Sequence, residues 1–202
     1  MGRLIAITGG IGSGKSIVSR IVRAMGYPVY DCDESARALM DRSDDIKDAI
    51  AEHIGPSCIT ECRPIDRAAL ASAVFSSAEK LATLNGIVHG AVKEHLSAWS
   101  IHPEREAATC FVETAILYQS GIDMMVDEVW QVDAPRDLRI ERVMKRNGMS
   151  RSQVISRIDS QDSYIPARLH PCTHLIINDG DTAVLPQVES LLDKVIRADE
   201  KI

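Results

Sequence analysis

A phosphate-gripping loop constrains this chain more than any other feature in it. Gly9-Gly10-Ile11-Gly12-Ser13-Gly14-Lys15-Ser16 fits the pattern G-x-x-x-x-G-K-[ST] at every fixed position. Before it, Arg3-Leu4-Ile5-Ala6-Ile7-Thr8 is a short apolar run that reads as a buried strand. After it, Ile17, Val18, Ile21, Val22 and Met25 recur at helical spacing. Glycines let successive backbone N–H groups turn inward around a phosphate, because no Cβ blocks the approach. The helix that follows adds its positive N-terminal end. Lys15 is expected to reach the β- and γ-phosphates, the Ser16 hydroxyl to ligate Mg²⁺, and the backbone from Gly12 through Ser13 and Gly14 to Ile17 to cradle the rest. The ligands expected here are therefore ATP and Mg²⁺.

Strand and helix signals alternate along the chain. Gly26 closes the first helix and Pro28-Val29-Tyr30 leads a second strand into Asp31-Cys32-Asp33. From Glu34 to about Ile101 the pattern is helical almost throughout. Ser76-Ser77-Ala78-Glu79 reads as a capping box for a helix carrying Leu81, Leu84, Val88, Val92 and Leu96 on one face. Further strands are expected at Ala107–Glu113, Glu128–Asp133 and His174–Asn178, with helices at Arg136–Asn147, from Ser150 to about Asp162, and at Leu185–Ile196. Such alternation implies right-handed crossovers and a parallel sheet covered on both faces. The expected fold is α/β: a P-loop nucleotide-kinase core with a five-stranded parallel sheet flanked by helices. The core takes residues 1–33, 102–135 and 169–202, a helical acceptor-binding insertion 34–101, and a lid 136–168. Ligands of such sheets lie beyond the carboxyl ends of the strands, where Gly9–Ser16, Asp31–Asp33, Glu113 and Asn178–Gly180 should converge.

Composition narrows the partners. The 202 residues carry a formal net charge of −6, which argues against a nucleic-acid or anionic-membrane partner. Apolar runs are far shorter than a membrane span, and the chain enters its first strand too early for a signal peptide. The five cysteines are odd in number and scattered, with no C-x-x-C pair, so reduced thiols in a cytoplasmic protein are expected and metal ligation by them is not. Cys58 and Cys62 in particular read as incidental thiols in a turn. A monomer is the expected state.

Neither N-K-x-D nor D-x-x-G occurs, which removes the guanine-nucleotide switches. A small-molecule kinase needs an acid near the acceptor hydroxyl and cations over the transferring phosphate. Asp31 and Asp33 supply carboxylates at the end of strand 2, and Asp33 is the candidate general base. The bland alternative makes Asp33 the N-cap of the helix that begins at Glu34. Arg136, Arg139, Arg142, Lys145, Arg146 and Arg151 crowd one stretch, the first three as a stripe on a lid helix whose alternative role is a solvated face.

Taken together these residues resemble the dephospho-CoA kinase family. Ile7-Thr8-Gly9-Gly10-Ile11-Gly12-Ser13-Gly14-Lys15-Ser16 and the Asp31-Cys32-Asp33 element match that family's opening. Asp66-Arg67 through Val74-Phe75, Leu84-Asn85 with His89, Arg142 through Arg146 with Arg157 and Gln161, and Asn178-Asp179-Gly180 match later elements. Gly90 stands in place of a proline after His89, and Glu113 in place of an aspartate. The resemblance implies ATP-dependent phosphorylation of the ribose 3′-hydroxyl of dephospho-CoA. It implies that Arg142 acts in catalysis with Lys15 and Asp33, and that Arg146, Asn178 and Gly180 bind nucleotide. Asp31, Arg67, Phe75, His89 and Gln161 are implied to serve the acceptor, although Phe75 by itself reads as packing. Glu113 joins Ser16 at the metal. A shikimate or nucleoside monophosphate kinase, and an ATP-binding module without turnover, are the alternatives; the long block 34–101 is too large for shikimate.

Overall fold

The structure is a computed structural model that describes residues 2–102, 105, 109–162 and 166–199, the side chains of 198 and 199 excepted. Its strands are β1 (Leu4–Thr8), β2 (Val29–Asp31), β3 (Cys110–Glu113), β4 (Glu128–Asp133) and β5 (Thr173–Ile177). They form one parallel sheet in the order β2-β3-β1-β4-β5. The third strand is expected from Ala107, but 107 and 108 lie outside the described residues. The α-helices are α1 (Lys15–Ala24), α2 (Cys32–Arg42), α3 (Asp44–His53), α4 (Arg67–Phe75), α5 (Ala78–Ser100), α6 (Leu117–Ser120), α7 (Arg136–Asn147), α8 (Arg151–Asp162) and α9 (Val184–Asp199), with short 3-10 turns at Pro56–Cys58 and Ile122–Met125. None of the described helices is long and apolar enough to cross a membrane.

The chain forms two compact units, one of residues 1–30 with 103–202, the other of residues 31–102. In the first, β1 is buried at all five positions, as a central parallel strand must be. Ile5, Ile7, Trp130, Val132 and Ile176 from the sheet pack with Val18 and Val22 of α1 and Val188, Leu191 and Leu192 of α9. Phe111 joins this core edge-on to Trp130, with ring centroids 5.0 Å apart. A second cluster of Ile140, Val143, Val154 and Ile158 holds α7 to α8. Gly148, in the left-handed conformation, ends α7. Ser150 and Gln153 then make a reciprocal box that starts α8: the Gln153 N–H donates to Ser150 Oγ, and the Ser150 N–H to Gln153 Oε1.

The second unit is helical, as its pattern implies, apart from a short bridge between Ile59 and Ile65. Ile46, Ile50, Ile54, Cys58, Leu70 and Val74 form its core, with Leu84, Ile87 and Ala91 of α5 packed against it. Two expectations need correction here. The cap of α5 is Ser77, whose hydroxyl accepts from the Lys80 N–H, so Glu79 falls one position short of completing a box. The inward face of α5 keeps Leu84, Val92 and Leu96 as expected, but Leu81 is exposed, and Ile87 and Ala91 join the packing against the core.

Candidate active site

The loop between β1 and α1 is braced from behind by side chains from α7, α8 and the residue that follows β5. Arg139 Nε donates to the Ile11 carbonyl at 3.0 Å, and the Ile11 N–H donates to Gln161 Oε1 at 2.7 Å. Asn178 Nδ2 donates to the Ser13 carbonyl at 2.7 Å. Arg142 ties the braces together, donating to the Asn178 carbonyl at 3.0 Å, to Asn178 Oδ1 at 3.3 Å and to the Gly12 carbonyl at 3.5 Å. Two glycines make this approach possible. A Cβ on Gly10 would collide with the Arg139 guanidinium, and one on Gly14, whose φ is 100°, with the Asn178 carboxamide.

Within the loop, Lys15 Nζ donates to the Gly9 carbonyl at 2.8 Å and to that of Gly10 at 3.4 Å. Lys15 and Ser16 open α1, so both side chains spring from its positive end. The Ile17 N–H is taken up by the Gly14 carbonyl, closing the first helical bond, and its side chain is exposed. Ser13 Oγ and Arg139 Nη2 are buried without a hydrogen-bond partner among the described residues. Buried polar atoms are rarely left so. An anion held by the loop would give the Ser13 hydroxyl, which belongs to the loop itself, such a partner, and this is the observation by which the loop fits a nucleotide phosphate; Arg139 Nη2 packs against Gly10.

Glu113 ends β3 in register with Ile7, two residues before the loop begins. Its carboxylate and the Ser16 hydroxyl are oxygen donors of the kind Mg²⁺ takes. Beside the loop lies a cavity of about 70 Å³, lined by Thr8, Gly9, Gly10, the 115–119 segment, Gln131 and Gln161 among others. Gly180 has φ 102° in the turn after β5. Next to it Asp179 accepts from the Asp181 and Thr182 N–H groups, which hold its carboxyl below the usual range. Arg146, in the last turn of α7, is exposed and turns to Asn147 Oδ1 at 2.8 Å. It does not join the braces.

In the helical unit the acids exchange roles relative to the alternative reading. Asp31, not Asp33, caps α2: its Oδ1 accepts from the Glu34 N–H at 3.0 Å. Asp33 lies inside the first turn with its carboxylate exposed. Arg67 opens α4 and pairs with Asp41 at 2.6 Å. Phe75, which by itself reads as packing, is 89% exposed at the end of α4. His89 is half-buried on α5, where desolvation, then the nearby Lys93 charge, lower its pKa and favour the neutral ring.

Residues 3–183 match the model of the dephospho-CoA kinase family. The chain belongs to that family. A dephospho-CoA kinase of Porphyromonas gingivalis is 40% identical over 191 residues, covering 95% of this chain and 93% of its own. One from Bacteroides fragilis is 36% identical, covering 93% and 90%. A crystal structure from Thermus thermophilus superposes with a TM-score of 0.73 at 32% identity, covering 98% of this chain and 97% of that one. A dephospho-CoA kinase from Campylobacter jejuni gives 0.70 at 21% identity over 98% and 100%, which speaks to the fold alone. Within this dephospho-CoA kinase family member, the residue that motif reading left out of the site is Arg139. Spacing by three along α7 placed it in a stripe with Arg136 and Arg142, but only the fold shows Arg139 and Arg142 turned onto the loop while Arg136 stays exposed and pairs with Asp159.

Proposed function

We propose that this chain transfers the γ-phosphoryl group of ATP to the ribose 3′-hydroxyl of dephospho-CoA, giving ADP and coenzyme A. The observation that carries the reading is the phosphate loop itself, braced by Arg139, Arg142, Gln161 and Asn178, with an orphaned hydroxyl at Ser13. In the reaction the 3′-oxygen forms a bond to the γ-phosphorus as the bond to the β–γ bridging oxygen breaks. The hydroxyl proton passes to the Asp33 carboxylate, and Lys15 leaves the loop carbonyls to meet charge building on the bridge. Arg142 and Arg146 add positive charge, while Gly12 to Ile17, Asn178 and Gly180 hold the nucleotide. Ser16 and Glu113 would hold Mg²⁺, which when bound supplies charge neutralisation between the β- and γ-phosphates.

The helical unit takes the acceptor. An exposed phenyl ring at Phe75, a neutral imidazole at His89 and the Arg67 cation are groups suited to the apolar and phosphate parts of a ligand, and the Asp31 carboxylate to a hydroxyl. Gln161 stands between loop and cavity. We take residues 136–168 as the lid, and the enzyme as a cytoplasmic monomer acting on small molecules. A coupled ADP-release assay on dephospho-CoA, shikimate, AMP and pantetheine phosphate tests this. Turnover is expected with dephospho-CoA alone; turnover only with another acceptor overturns it.

A further inference from the structure

At the sheet rim opposite the phosphate loop, three donor side chains converge. Glu128 opens β4, Cys172 immediately precedes β5, and His174 is the second residue of β5. Val129 is in register with Thr173, and its N–H donates to the Cys172 carbonyl at 2.9 Å, so Glu128 and Cys172 stand side by side on neighbouring strands. The two-residue repeat of a strand returns His174 to the same face. Cys172 Sγ lies 3.6 Å from His174 Nε2, and that same nitrogen lies 3.5 Å from Glu128 Oε2. All three donor atoms fall within 4.8 Å of one another.

A thiol–imidazole–carboxylate relay uses both ring nitrogens, one for each partner. Here a single nitrogen faces both, which is no relay but a convergence on one point. Around tetrahedral zinc, bonds of about 2.3 Å to sulfur and about 2.0–2.1 Å to nitrogen and oxygen set the S···N edge at about 3.6 Å and the N···O edge at about 3.4 Å. The observed edges of 3.6 and 3.5 Å meet those values.

We propose that Glu128, Cys172 and His174 form a binding site for a borderline-soft divalent cation, zinc foremost, with water as the fourth ligand. Arg3 Nη1 donates to Glu128 Oε1 at 2.6 Å, which fixes the carboxylate and leaves Oε2 for the metal. His174 is one-third exposed, with its side chain at 33%, so the fourth position opens to solvent. Binding replaces the Cys172 S–H bond by a sulfur–metal bond and releases the proton to solvent; no electron is transferred. Burial and the Glu128 carboxylate raise the thiol's pKa, against the opposing charge of Arg3, and a cation reverses the Glu128 contribution. The ion would clip β4 to β5. Mg²⁺, a hard cation that favours oxygen, does not compete for it.

The test is cobalt titration of chelator-treated protein in excess Mg²⁺, which masks any oxygen-donor site at the phosphate loop. One equivalent of Co²⁺ should produce thiolate-to-cobalt charge-transfer absorption, which Zn²⁺ then abolishes. Cys172→Ser should lose the absorption. His174→Gln should shift its midpoint to higher cobalt. Kinase turnover should be unchanged in both variants. Absence of the absorption in the native protein overturns the proposal, as does an absorption that persists in Cys172→Ser. Should Cys172→Ser fail to fold, an unshifted titration in His174→Gln overturns it.

Discussion

Asp33 is where one atom separates two accounts of the site. With Asp31 as the cap of α2, Asp33→Asn touches no capping bond and loses only a carboxylate beside the helix N-terminus. That interaction is worth about 0.3–1 kcal/mol when exposed, so melting should barely move. If Asp33 accepts the 3′-hydroxyl proton, kcat should fall by roughly 10²–10⁴ while ATP affinity survives. A rate within a few-fold of the parent sends the base elsewhere. Asp31→Asn is the matched control, since asparagine caps about as well as aspartate. His89 gives a pH signature at the same scale. Above its ordinary pKa of 6.5 the ring is neutral folded or unfolded and contributes nothing. As pH falls through that value the unfolded chain takes a proton that the folded one resists, so stability declines until pH passes below the folded pKa. His89→Asn should flatten that decline in denaturant titrations at successive pH values. An unchanged slope would mean the ring protonates equally well in both states.

Elements were legible in the sequence to the extent that their signals are local. β1 is a continuous apolar run closed by Gly9, and β4 an apolar segment interrupted only by Gln131 and closed by Asp133, so both could be placed from residues alone, and the loop motif located the nucleotide end of the sheet. What could not be read was direction. Spacing puts Arg139 and Arg142 on one stripe of α7 but does not say whether that stripe meets solvent or the loop. Gln161 and Asn178 are ordinary amides until the fold brings them to Ile11 and Ser13. Cys172 and His174 lie two apart, yet their third partner, Glu128, is on another strand, and no spacing rule joins them. The helix α5 carries a prediction of its own. A Cβ on Gly86 or Gly90 would meet nothing within 4 Å, so neither glycine is required by packing. Gly86→Ala and Gly90→Ala should each stabilise the chain by about 0.5–1 kcal/mol in chemical denaturation. A loss of stability would show that the helix is held bent or crowded there.

For the whole molecule, ligand and fold are coupled through the loop. A ligand that binds only the folded chain at 100 times its Kd stabilises it by about 2.7 kcal/mol, so saturating MgATP should raise the melting temperature by several degrees. Asn178→Ala should lower the melting temperature of the free protein and shrink the ATP-induced rise together, because the carboxamide bonds the Ser13 carbonyl and Arg142. A residue that touched only nucleotide would affect the second and spare the first. The bracing has a consequence beyond the site. Since the loop takes its shape when α7, α8 and β5 come together, the entropy of ordering it is met during folding and not at each binding event. Sequence drift in those elements is therefore felt as substrate affinity. Val143 is fully buried in α7, and a Cβ on Gly12 would come within 3.0 Å of its Cγ2, so trimming Val143 to alanine should loosen the seat of the loop and weaken ATP binding in a titration.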